Sequence, residues 1–303
     1  MTTDKGEKDV LQEVRTVPGN HARGHFNQRE IDVIMQDVLP GCAESESIGI
    51  ITPYRAQAEA INQAVGKDIA STVHKYQGRE CDTIIMSMVD NCPTEFSDDA
   101  NLLNVAISRA KNRLCLVTNG NEMPQNCNLS QLISYIQYNN FEMKASKLHS
   151  VFDLLYRQYT AERLAYQADH PTVSEYLSEN LIYDLLIKAI AELGLPHTEV
   201  LCHYPLSRLV ADWNQLDDKE KAFAESPFSH VDFLLYNSLT KRPICAIEVD
   251  GWHFHKESDA QQSRDALKNQ IFTKLGLRLF RISTTDTVNK DTIKKALLET
   301  LSD

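Results

Sequence analysis

Three carboxylates, Asp232, Glu248 and Asp250, are spaced so that two paired strands could gather them at one point. Asp232 opens the apolar run VDFLLYN, and Glu248 and Asp250 close the run PICAIEVD. In a strand, residues two apart share a face, so Ile247 and Val249 point one way and Glu248 and Asp250 the other. A turn over Ser238 to Arg242 would fold the two runs antiparallel and bring Asp232, sixteen positions before Glu248, close to it. Converging carboxylates repel one another, and a hard divalent cation relieves that repulsion. Mg²⁺ or Mn²⁺ held there would neutralise a phosphate and lower the pKa of an attacking water. Glu179 lies early in an upstream helical run, after Ser178. His253 and His255 follow the acidic strand and are candidate proton carriers or metal contacts. Lys268 lies on the next helical run, three residues after Asp265 and therefore on the same face. Ordinary alternatives exist for each: an acidic sheet edge, a glutamate favoured near a helix N-terminus, and histidines packed beside Trp252 and Phe254.

A second group of chemically capable residues lies upstream. Arg55 follows the strand-like IGIITPY, Gln77, Gly78 and Glu80 sit in HKYQGRE, and Arg109 ends the helical stretch NLLNVAISR. A guanidinium offers fixed donors to a phosphate on which charge develops. For a lone arginine, helix capping or surface pairing is the simpler reading.

Order changes that reading. ITPYRAQ, STVHKYQGRECDTIIMS and NLLNVAISRAKNRLCLV occur in the sequence and spacing of helicase motifs IV, V and VI. Residues 25 to 118 therefore resemble the second RecA-like domain of superfamily 1 helicases of the nonsense-decay type. The resemblance implies an arginine-finger role for Arg109 and a similar contact from Arg55. It implies a nucleotide cleft at Gln77, Gly78 and Glu80, and a nucleic-acid track near Thr72 and His74. No GxxxxGK[ST] occurs in the chain, and the lone Gly66-Lys67 pair is followed by Asp68. ATP is thus expected to bind only together with a missing P-loop domain, supplied in cis or in trans.

The C-terminal acidic strands resemble the PD-(D/E)xK nucleases, in a branch found as a tail on superfamily 1 helicases. They are also similar to very-short-patch repair endonucleases, which have a tryptophan- and histidine-rich turn. That resemblance makes Asp232 and Glu248 the metal ligands and puts Asp250 where the usual catalytic lysine stands. Lys268 is one candidate substitute for that lysine. The resemblance also implies a metal contact, direct or through water, from Glu179 on the first helix, and it covers roughly Ser174 to Thr284.

The 303 residues carry 31 Lys and Arg against 42 Asp and Glu, a net charge of −11, so bulk charge alone does not hold nucleic acid. From Lys256 to Lys295, nine basic and five acidic residues give a local +4. Seven scattered cysteines without a CxxC pair read as reduced thiols in a cytoplasmic protein, and a structural zinc site is not expected. No run approaches the ~18 apolar residues of a membrane span, so no membrane partner is expected.

Short apolar runs at 48–54, 69–73, 83–89 and 114–118 alternate with helical stretches, which points to a doubly wound α/β sheet. The expected organisation is α/β throughout. A RecA-like doubly wound parallel sheet spans 1–128, a helical connector 129–170, and a restriction-endonuclease-like α/β domain 171–303. Helices are expected at 173–193 and 262–275, with Gly276 as a C-terminal cap. The whole reads as the C-terminal part of a helicase-nuclease, with metal-dependent cleavage of nucleic acid, DNA favoured, in the C-terminal domain. Two alternatives stand beside it: an inactive nuclease fold that only binds nucleic acid or a partner, and a regulatory half-ATPase acting in trans.

Overall fold

The computed structural model describes residues 10–76, 78–251 and 259–301. Gln77, Trp252, His253 and His255, all singled out in the sequence, lie outside the described residues. The chain divides into two units, Met1–His149 and Ser150–Asp303.

The first unit begins with β1 (Val10–Arg15) and the short pair β2 (Ala22–Arg23) and β3 (Phe26–Asn27). Then come α1 (Gln28–Val33), β4 (Ile48–Thr52), α2 (Arg55–Val65) and β5 (Ala70–Thr72). It continues with β6 (Cys81–Ser87), α3 (Ala100–Arg109), β7 (Ala110–Thr118), α4 (Asn128–Tyr138) and β8 (Glu142–Ala145). Among the described residues the main sheet has six strands in the order β5-β4-β6-β7-β1-β8, all parallel. Its middle strands are near-continuous apolar runs because helices cover both faces. Ile50 and Ile85 face one core and Ile51, Ile84 and Met86 the other, all fully buried. Gly49 is required by close approach, since a Cβ there would lie 1.7 Å from the Tyr76 hydroxyl. Asp99 starts α3 by accepting the Leu102 amide, a side-chain N-cap.

The stretch expected as a connector divides between the units. Residues 128–145 form α4 and β8, and β8 pairs with β1 at the edge of the first sheet. Asn128–Tyr138 buries Leu129, Ile133 and Ile136 against that sheet. The run had no strand signature because β8, EMKA, is mostly exposed.

The second unit holds α5 (Thr160–Asp169), α6 (Leu177–Glu192), β9 (Thr198–Pro205) and α7 (Asp218–Glu225). β10 (His230–Asn237), β11 (Arg242–Asp250), α8 (Asp259–Leu275), β12 (Arg278–Ser283) and α9 (Lys290–Leu301) complete it. Its sheet runs β12-β11-β10-β9, with β9, β10 and β11 antiparallel and β12 parallel to β11. Alternation of side chains gives it two cores. Phe233, Leu235, Cys245 and Ile247 pack on α6 and α9, whereas Leu234 and Ala246 pack with Ile271 and Phe272 of α8. Asn237 makes the β10–β11 turn by accepting the Leu239 and Thr240 amides. Gly276 ends α8 in the left-handed region at φ 61°. No helix among the described residues is long and apolar enough to cross a membrane.

Candidate active site

The register of β10 on β11 places Phe233 opposite Ile247, so the next step sets Asp232 opposite Glu248. At that level the ladder opens. The Val249 amide donates to Asp232 Oδ2 at 2.7 Å, a side chain taking the place of a strand carbonyl. Glu248 is buried at 7% exposure on the sheet face that α8 covers. There Lys268 of α8 donates to Glu248 Oε2 at 2.8 Å and to the His230 carbonyl at 2.9 Å. Glu248 Oε1 is buried without a hydrogen-bond partner among the described residues.

The electrostatics follow from this packing. Burial pushes Glu248 up to about 7, against the lowering pull of the Lys268 ammonium and with Asp232 adding to the rise. Burial also raises Asp232, offset first by the Val249 amide, while the Glu179 charge raises it further. Burial is the main reason both carboxyls resist ionising, and Glu248 also has one buried oxygen not used by Lys268.

The other expected residues are placed differently. Asp250 shares the face of Glu248 but turns to Arg281, whose Nη1 lies 3.3 Å from both carboxylate oxygens. Asp265 of α8 meets the same guanidinium at 3.1 Å. Arg281 pairs with Glu248 in the strand register, so β12 supplies the cation that neutralises Asp250. Glu179, in the first turn of α6, accepts from His203 Nε2 at its Oε2, 2.8 Å away. Among the described residues no group of three or more His, Cys, Asp or Glu side chains is assembled to hold a metal ion. The expected convergence of three carboxylates is therefore reduced to Asp232 and Glu248, with Lys268 beside them. That pair still fits Mg²⁺, which keeps several waters and commonly uses one or two carboxylates together with substrate phosphate oxygens.

His203 and His230 were not anticipated. His230 stands two residues before Asp232 on the same strand, a period-2 signal that was available. His203 lay in a run, TEVLCHYP, of weak strand character. Its ring meets that of His230 edge to face at 5.4 Å between centroids.

In the first unit, one cleft is lined by Arg55, Thr72, Lys75, Arg79 and Glu80. Arg55 is exposed at the start of α2 and pairs with Glu59 at 2.6 Å. Gly78 takes φ 82°, which favours glycine at this turn. Arg109 ends α3 with its guanidinium on the Ser108 hydroxyl, outside the lining of that cleft. His74 is exposed in the turn after β5.

Comparison with known proteins separates the two units. Residues 7–121 match the AAA domain family. The chain is also similar to curated helicases over part of its length. The human DNA replication ATP-dependent helicase/nuclease DNA2 is 42% identical over 88 residues, 26% of this chain and 8% of that protein. The Arabidopsis thaliana DNA replication ATP-dependent helicase/nuclease JHS1 is 37% identical over 117 residues, 36% of this chain and 9% of its own length. The Methanocaldococcus jannaschii uncharacterized ATP-dependent helicase MJ0104 is 28% identical over 145 residues, 44% of this chain and 22% of that one. The chain is helicase-related over the part of its length that these proteins match. The chain spans less than a quarter of each of these relatives. Residues 176–301 match a family described as a protein of unknown function, DUF2726. The crystal structure of the C-terminal domain of a possible DNA helicase from Lactobacillus plantarum aligns at a TM-score of 0.32 and 16% identity, over 46% of this chain and 86% of that one.

Proposed function

We propose that the second unit is a metal-dependent nuclease and that the first is half of an ATPase, both parts of one helicase-nuclease. The observation that carries the nuclease reading is the Lys268 ammonium on Glu248, beside Asp232. In the PD-(D/E)xK resemblance, the position two residues after the glutamate is the catalytic lysine, and here it is Asp250, neutralised by Arg281. Lys268 brings the missing ammonium to the same carboxylate from α8.

Asp232 and Glu248 would hold Mg²⁺ or Mn²⁺, which when bound neutralises the scissile phosphate and acidifies an attacking water. Lys268 is fixed by two acceptors and only slightly exposed, so its charge is preorganised toward negative charge developing on the phosphate. The buried site keeps bulk water from screening that charge. DNA is the favoured substrate, since two of the similar proteins are described as DNA replication helicase/nucleases. In the first unit, Arg55, Gln77, Gly78, Glu80 and Arg109 would complete an ATP site whose phosphate-cradling loop comes from a P-loop domain.

A second reading is a nuclease fold that binds without cutting. It is favoured by the lack of a third ligand side chain among the described residues and by the ion pairing of Asp250. Incubating the full chain with labelled single-stranded and duplex DNA in Mg²⁺ or Mn²⁺ decides between them. Cleavage that disappears in Asp232→Ala and Glu248→Ala supports the nuclease. Binding without cleavage in every case supports the alternative.

A further inference from the structure

His203 is held in an arrangement that the metal chemistry does not use. Its backbone is left-handed at φ 49° inside β9, a conformation that costs a non-glycine residue about 1 kcal/mol or more and recurs at ligand-binding sites. The pairing of β9 with β10 is in register on either side, Tyr204 with Val231 and Cys202 with Phe233, so the distortion is confined to His203. Glu179, nearly buried, clamps the imidazole by Nε2. His230 closes on it edge to face, two residues before Asp232. Both rings line an open cleft together with Thr172, Ser174, Glu175 and Tyr176. Tyr176 is 56% exposed there.

We infer that this cleft is a subsite for one nucleotide of an unpaired strand, its base stacked on Tyr176 and its phosphate taken by the ring N–H of His230, with the His203 ring held against His230 by Glu179. The inference rests on the nuclease reading above and specifies its substrate as a single strand entering beside Asp232. Aromatic faces accept any base and favour strands whose bases are already unstacked, each stack being worth ~1–3 kcal/mol. Imidazole N–H donors suit phosphate oxygens, and the Glu179 clamp fixes one of the two rings before substrate arrives. In a duplex the bases stay stacked in the helix and Tyr176 has nothing to receive.

The test is photocross-linking of the full chain to a single-stranded oligonucleotide carrying 5-iododeoxyuridine, with the adduct mapped by mass spectrometry. The same oligonucleotide annealed to its complement is the control. The expected result is an adduct on Tyr176 with the single strand, at least fivefold weaker with the duplex and at least fivefold weaker in His203→Ala. An adduct mapping elsewhere, or one equal for duplex and single strand, overturns the inference. The mapping on wild-type protein needs no variant to fold. Running it on Glu248→Ala separates the two claims. Cleavage abolished there without a Tyr176 adduct leaves the nuclease standing and removes the subsite. A Tyr176 adduct with cleavage unaffected by Glu248→Ala keeps the subsite and removes the nuclease.

Discussion

Lys268 Nζ lies 2.8 Å from Glu248 Oε2, across twenty residues of sequence and from helix to strand. This ion pair sits among side chains only 13% and 10% exposed. A buried pair is costly to break by removing one partner, because the other charge is stranded. Here burial has already lifted Glu248 to about 7, so losing Lys268 leaves a carboxyl that takes up a proton rather than a stranded anion.

Lys268→Ala is therefore expected to fold and to lose cleavage. Removing one preorganised charged donor from a transition state typically costs on the order of 100-fold in kcat. Steady-state cleavage of single-stranded DNA in Mn²⁺ measures it. A Lys268→Ala enzyme with wild-type kcat would remove the lysine from the mechanism.

Asp250→Ala should behave differently from Glu248→Ala. Asp250 faces Arg281, and a partly exposed pair of this kind contributes about 1 kcal/mol or less. Cleavage is expected to stay within about tenfold of wild type, while Glu248→Ala abolishes it. Equal loss in both variants would place Asp250 at the metal instead.

Glu30 of the first unit gives a stability signature independent of catalysis. It is fully buried, accepts from the Ser87 hydroxyl and the Val89 amide, and burial pushes it to about 7 from an ordinary 4.5. Between those values the folded chain holds more protons than the unfolded one, so stability falls as pH rises through that window. The loss is on the order of 3 kcal/mol when complete. Urea unfolding in EDTA at pH 5 and pH 8 should show Glu30→Gln with a weaker pH dependence than wild type. Identical dependence in the two proteins would contradict the assignment. Glu248 contributes with the same sign, so some dependence remains in the variant.

Arg109→Ala should leave folding intact, since the guanidinium contacts the exposed Ser108 hydroxyl. In a preparation joined to a P-loop domain it should cut ATP hydrolysis by on the order of 10³-fold, the typical worth of an arginine finger. Unchanged hydrolysis would exclude that role.

The sequence made some of this legible and hid the rest for physical reasons. The central parallel strands are continuous apolar runs buried on both faces, and such runs read clearly. The register of Asp232 on Glu248 follows from two strands and a short turn, and period-2 alternation sufficed. Strand β8 was hidden because an exposed edge strand carries no apolar pattern. Asp250 appeared as a third ligand because alternation puts it on the right face, but face alone does not reveal that β12 sends Arg281 to meet it. His203 was invisible because its clamp, Glu179, lies on α6, and only the tertiary fold joins them.

Nuclease activity requires that Asp232 and Glu248 together take up a divalent cation. Calorimetric titration of Mn²⁺ into the wild-type chain at pH 7.5, repeated on Asp232→Ala and Glu248→Ala, measures this directly. One saturable site in the wild type, absent in both variants, is the predicted result, with about 1.4 kcal/mol of added stability at ten times the dissociation constant. Heats of equal size in all three proteins, or none in any, would contradict it.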